Sequence, residues 1–115
     1  MSDRDIQLVE HMIRYCNEIM GTVRYFGNSK SAFLENYIYF NSCSTPILQI
    51  GELAKRVSED LINQHPEIPW RQIKGARDYF VHDYLSIDKE MAWDMIENDI
   101  PALYDNLCKI LNDNP

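Results

Sequence analysis

An arginine, a carboxylate, a histidine and two tyrosines fall within one short stretch, Arg77-Asp78-Tyr79-Phe80-Val81-His82-Asp83-Tyr84, among apolar neighbours. These residue types suit phosphodiester chemistry on RNA, where the substrate's own 2′-hydroxyl can be the nucleophile. Such a reaction needs a proton acceptor or donor near neutral pH. Histidine meets that need, with an unperturbed pKa of about 6.5. It also needs a cation for the charge that develops on the phosphate, and the planar guanidinium fork of arginine matches phosphate oxygens. Arg77 and His82 are the candidate pair, with Asp78 in support.

Spacing constrains how these groups can meet. On a regular helix Asp78 and His82, four apart, lie on one face, so the carboxylate can accept a hydrogen bond from the ring. Arg77 and His82 are five apart and lie roughly 140° from each other around the axis. Either the helix ends near His82 and the chain turns, or the two side chains meet through a partner copy. A helix-capping histidine and a surface arginine, with no chemistry between them, fit the same residues.

Other chemistries leave weaker traces. The three histidines and three cysteines show no metal-ligand spacing. No strained nucleophile turn marks a serine or cysteine partner for His82, and there is no glycine-rich phosphate loop. No metal and no cofactor is expected.

The elements that must position the motif read as helical throughout. At 115 residues, 45% apolar and 25% charged, the chain fits one soluble domain over residues 1–115 with a core that needs no staples. Cys16, Cys43 and Cys108 are isolated in apolar patterns, the usage of packed thiols in a reducing compartment. Met1-Ser2-Asp3-Arg4 opens without a signal-peptide apolar region, and no 18-residue apolar run follows. A cytoplasmic protein without a membrane segment is expected. The net charge of −7 argues against a broad phosphate-gripping surface. Residues 70–82 are the exception, because Arg71, Lys74 and Arg77 outweigh Asp78 there, ahead of a strongly acidic stretch from residue 83 onward. A local phosphate contact suits that island of positive charge, and so does docking of a basic partner on the acidic surface.

Ser2 and Asp5 form an acidic variant of a capping box. Ile6, Val9, Ile13, Cys16, Met20 and Val23 then repeat at three- and four-residue steps, which predicts a core-facing helix to about Tyr25, stopped by Gly27-Asn28. His11 lies off this seam and reads as a surface residue. Residues 32–65 carry a second helical pattern. On it Ser44, Gly51, Ala54 and Ser58 would let another helix approach closely, and Pro46 should kink or split it near Thr45. The stripe beside it, Ile47, Ile50, Ala54, Val57 and Leu61, widens the apolar face to two buried sides. That suits a dimer seam lined by Tyr37, Tyr39 and Phe40, or core packing alone. Pro66 ends that pattern, and Pro69 fits the first turn of a short helix anchored by Trp70, Ile73 and Ala76. Asp88 or Ser86 caps the last helix, whose core positions are Ala92, Ile96, Ile100, Leu103, Leu107 and Ile110. Pro101 either kinks it or restarts it. The expected fold is all-α, a bundle of four to five helices.

Three stretches in order carry a family resemblance: Ile50-Gly51-Glu52-Leu53-Ala54-Lys55-Arg56, His65-Pro66-Glu67-Ile68-Pro69-Trp70, and Arg77 through Tyr84. Together they make residues 47–112 resemble the HepT-like branch of the HEPN superfamily, whose signature is arginine, four residues, histidine, one residue, tyrosine. The N-terminal half matches only in its helical pattern. The resemblance implies a HEPN-type bundle that works as a homodimer and a metal-independent endoribonuclease toxin acting on RNA. Arg77 and His82 take the places of the catalytic pair. It also implies a cognate partner, a minimal nucleotidyltransferase antitoxin of the MntA type, which would silence the toxin by AMPylation of Tyr84 in a type VII-like toxin–antitoxin pair. Asp78 stands where the family often has asparagine. The alternative, from a different class, is a non-catalytic helical subunit that docks the nucleotidyltransferase.

Overall fold

The computed structural model describes residues 1–113, and it is all-helical over them. Residues 114 and 115, the end of the expected domain, lie outside the described residues. Four long helices make the bundle: α1 (Asp3–Tyr25), α3 (Tyr37–Ala54), α5 (Trp70–His82) and α7 (Ile100–Asp113). Short helices α2 (Lys30–Glu35), α4 (Glu59–Gln64) and α6 (Lys89–Asp94) connect them. Helix α1 packs against α3 and α7, and α5 lies along the other flank of α3. The motif helix is therefore positioned almost wholly by α3.

The start of α1 is capped as its sequence requires, with Ser2 Oγ accepting from the Asp5 amide at 3.1 Å. Its end is set by Gly27 and Asn28, both at positive φ. His11 is exposed. The buried stripe, however, is offset from the expected seam. Leu8, Val9, Met12, Cys16 and Ile19 are buried, while Ile13, Met20 and Val23 pack only at its edge. The turn after α3 helps to set that rotation. Asp5 is buried, and its carboxylate accepts from the Ser58 amide at 3.0 Å and from the Ser58 hydroxyl. Ser58 in turn caps α4 by accepting from the Leu61 amide.

The single helical pattern expected over 32–65 is broken twice. Asn36 ends α2 and caps α3, accepting from the Ile38 amide, and residues 55–58 turn the chain into α4. Ser58 is thus a cap and not a small residue on a helix face. Pro46 does not split α3, which runs through it unbroken. The carbonyl that Pro46 leaves without a donor belongs to Ser42, which is exposed so that solvent can serve it. Asp88 caps α6 by accepting from the Glu90 and Met91 amides. Between α6 and α7 the helix widens into a π turn, Met95–Asp99, closed by the Ile100 amide donating to Met95 O. Pro101 accounts for it, since it has no N–H for the Glu97 carbonyl and sits in the first turn of the restarted α7. The six core positions expected for this helix are all buried.

Cys16 and Cys43 are buried free thiols, and burial pushes both up to about 12. Among the described residues no helix is long and apolar enough to cross a membrane.

Candidate active site

Helix α5 is held on α3 through two different kinds of contact. Near its C-terminal end Phe80 is buried with its ring 6.3 Å from that of Phe40. Half-way along, Gly51 faces the Arg77 Cβ with no room for a side chain of its own. The expected close approach at a small residue is therefore real at Gly51, and it falls at the motif arginine.

Around that contact four charged side chains form one network. Arg77 Nε pairs with Glu52. Arg77 Nη1 donates to Asp78 Oδ1 at 3.0 Å, and Lys55 Nζ donates to the same oxygen at 2.8 Å. Gly51 and Glu52 lie in the last turn of α3 and Lys55 is its C-cap, so all three fall along the flank of α5. Lys55 first and Arg77 second hold the Asp78 carboxyl below the usual carboxylate range. Asp78 first, then Glu52, raises Arg77 further above its already high value, against an opposing desolvation effect. Two cations and two carboxylates leave the network near neutral.

His82 is the last residue of α5 and is exposed. The helix does end where the motif geometry calls for a turn. The expected hydrogen bond from its ring to Asp78 is not formed; the Asp78 carboxylate instead accepts from Lys55 and Arg77 at Oδ1. Among the described residues no side-chain hydrogen bond joins Arg77 to His82 either. The two lie roughly 7.5 Å apart along the axis by helix rise.

Tyr84 follows in a 3-10 turn, Tyr84–Ser86, where its hydroxyl donates to Asn41 of α3 and its ring lies 5.8 Å from that of Phe40. It remains 41% exposed. Tyr79, the other motif tyrosine, is a brace: its hydroxyl accepts from the Asp88 amide at 2.8 Å and ties the motif to the start of α6. Within the motif Tyr79 and Phe80 hold the helix in place, and Val81 through Tyr84 face solvent.

Glu52, Lys55 and Asn41 are the parts of this site that residue-by-residue reading missed. The signal for two of them was present: Glu52 and Lys55 are charges three apart beside a glycine, on a helix otherwise rich in apolar residues. Asn41 left no comparable trace.

The site is an open surface. A groove of about 250 Å³ runs beside the neighbouring face of α5, lined by Ile47, Ile50, Ile73, Ala76, Ile100 and Leu103 among others, and no motif side chain from Arg77 to Tyr84 lines it. The motif side chains lie outside this groove on a face open to solvent, which suits a polymer better than an enclosed small molecule. Among the described residues no group of three or more His, Cys, Asp or Glu side chains is placed to hold a metal ion.

Comparison with known proteins places the chain among ribonucleases. A family model described as ribonuclease HepT-like matches residues 9–110. A protein of Caldanaerobacter subterraneus subsp. tengcongensis named "Putative RNase" is 26% identical over 103 residues, 90% of each chain. A "Probable ribonuclease HepT" of Thermococcus cleftensis is 41% identical over 54 residues, which is 47% of this chain and 49% of that one. A "Putative RNase" of Methanocaldococcus jannaschii is 22% identical over 104 residues, 90% of this chain and 94% of its own. No solved structure matches.

Proposed function

Since this chain belongs to the HepT-like ribonuclease family, we propose that it is a metal-independent endoribonuclease toxin, one cytoplasmic domain over 1–115, using Arg77 and His82. The observation that carries the reading is the placement of Arg77. Its guanidinium lies in ion-pair contact with Glu52 at Nε and donates to Asp78 from Nη1, five residues before an exposed His82.

The chemistry follows from these two groups. The RNA 2′-oxygen forms a bond to the adjacent phosphorus while the bond from phosphorus to the 5′-oxygen breaks, giving a 2′,3′-cyclic phosphate and a 5′-hydroxyl. Histidine in its neutral form accepts the 2′-hydroxyl proton, or in its charged form supplies the proton that the leaving oxygen takes up. Arginine stabilises the charge on the phosphate oxygens. Because the two side chains do not meet within one chain, a homodimer would bring a second copy of each to the seam. Val81 (43% exposed) and Leu85 (99% exposed) flank His82 and support such a seam, since they are apolar groups left to solvent in a single chain.

Purified protein is expected to cleave RNA in the presence of EDTA, with His82→Ala and Arg77→Ala each reducing the rate by about 10²–10⁴-fold while the fold is intact. Cleavage that persists in both variants would reject these roles. A folded wild-type protein that neither cleaves RNA nor harms cells would instead favour the non-catalytic subunit that docks a nucleotidyltransferase.

Tyr84 is the proposed acceptor of AMP from that cognate antitoxin. Its hydroxyl would attack the α-phosphorus of ATP, losing its proton as pyrophosphate leaves. The added phosphate would bring negative charge and bulk to the end of the motif helix.

A further inference from the structure

Lys55 Nζ, from the C-cap of α3, and Arg77 Nη1, from α5, converge on one oxygen, Asp78 Oδ1, at 2.8 and 3.0 Å. Two cations around a single anionic oxygen is the arrangement a phosphate oxygen would require. Asp78 fills it with a carboxylate of the protein's own. On a regular helix Asp78 is also only about 40° around the axis from His82, whereas Arg77 is about 140° from it. The residue that gathers the two cations is therefore rooted on the histidine's side of α5.

We propose that Lys55 is a second phosphate-binding residue of the RNA site, and that Asp78 is an internal anion which the RNA backbone must displace to reach Lys55 and Arg77. The proposal rests on the ribonuclease reading for its substrate class, but it concerns binding and not the chemical step. Glu52, in ion-pair contact with Arg77 Nε, stays beside the guanidinium when Asp78 swings away. Asp78 makes its displacement feasible because its side chain is half exposed (51%) and reaches solvent by rotation alone. Displacement converts a neutral network into one with a net positive charge facing the substrate. An acidic protein thereby confines its affinity for RNA to one place and sets that affinity low.

Binding can be read without turnover by fluorescence anisotropy, using a labelled single-stranded RNA carrying 2′-O-methyl groups and titrating salt. Lys55→Gln is expected to weaken binding and to reduce the slope of log K against log salt by about 0.7, one phosphate contact on a single strand. Lys55→Arg should restore both. Asp78→Asn is expected to bind about fivefold more tightly, the effect of removing one charge about 4 Å from a phosphate in water. The double variant Lys55→Gln/Asp78→Asn separates contact from scaffolding. If Lys55 touches phosphate, its loss still lowers the slope when Asp78 is neutral. If Lys55 only anchors Asp78, its effect vanishes there and the proposal fails. Unchanged binding in Lys55→Gln, weaker binding in Asp78→Asn, or no RNA binding by the wild type would also overturn it. Lys55-dependent binding without any cleavage by the wild type would instead reject the catalytic reading and leave this one standing.

Discussion

A methyl group added to Gly51 would lie 2.1 Å from the Cβ of Arg77, and 3.2 Å from the carbonyl oxygen of Ile73. Helices α3 and α5 therefore touch backbone to backbone at the motif arginine. This contact brings Glu52 and Lys55 within reach of Arg77 and Asp78, and it makes the charge network a property of two helices packed at one glycine.

Gly51→Ala should for this reason lower both stability and activity. In an unconstrained helix the change would be favourable by about 0.5–1 kcal/mol. Here the obstructing atoms are a Cβ and a backbone carbonyl, which cannot rotate aside, so the helices must separate. An overpacking cost of about 1–3 kcal/mol is expected to win. Denaturant unfolding would show a lower midpoint at an unchanged slope, and RNA cleavage would fall as Arg77 moves from Glu52. A midpoint raised above wild type would show that α5 is not packed tightly there.

The link between Asp5 and Ser58 predicts a large stability effect far from the motif. Asp5 is 3% exposed, and both of its oxygens are occupied by Ser58. Asp5→Ala leaves the Ser58 amide without a partner, at a cost of about 1–3 kcal/mol. Ser58→Ala removes the cap of α4 and leaves the buried carboxylate under-bonded, a loss of similar size. Because each change removes the same interaction, the double variant should cost well below the sum of the two. Additive losses in a double-mutant cycle would contradict direct coupling.

Much of this architecture can be read from residues alone, and the failures have common causes. Caps and stops were legible because they are local: Ser2, Gly27-Asn28, Asp88 and Pro101 each act within a few residues of themselves. The offset of the α1 seam was not, since it depends on the long-range bond of Asp5 to Ser58. The breaks in 32–65 fall at the local caps Asn36 and Ser58, hidden by an apolar periodicity that runs across both. At the site, the types and order of Arg77, His82 and Tyr84 were visible. The engagement of Asp78 with Lys55, in place of His82, was not. An i,i+4 spacing permits a hydrogen bond, but the carboxylate is drawn to a lysine at the end of another helix, a partner that spacing along one helix does not reveal.

The thiols give a test of the core that is independent of activity. Burial raises Cys16 and Cys43 to about 12, so at pH 8 the reactive thiolate is a minute fraction of each, and neither is accessible. Native protein treated with iodoacetamide at pH 8 should be alkylated first at Cys108, which is only half-buried. Cys16 and Cys43 should react only on the timescale of unfolding, as followed by intact mass and peptide mapping. Prompt labelling of Cys16 or Cys43 would mean that the α1–α3 interface opens readily.

Tyr84 offers the sharpest test of regulation, because its hydroxyl is both exposed and engaged. It donates to Asn41 on α3, so adding AMP to that oxygen must break the bond and detach the 3-10 turn from the helix. The modification would then act twice, by placing phosphate beside the site and by loosening the segment that follows His82. Co-expression with a cognate nucleotidyltransferase should add AMP mass to Tyr84, and Tyr84→Phe should stay active despite the partner. Asn41→Ala, which frees the same hydroxyl without adding charge, separates the two effects. If loosening contributes, Asn41→Ala alone should reduce RNA cleavage and be modified faster. If charge alone silences the enzyme, Asn41→Ala should cleave as wild type does. Neutralisation with an unmodified Tyr84 would reject the switch and leave burial of the motif by the partner as the means of control.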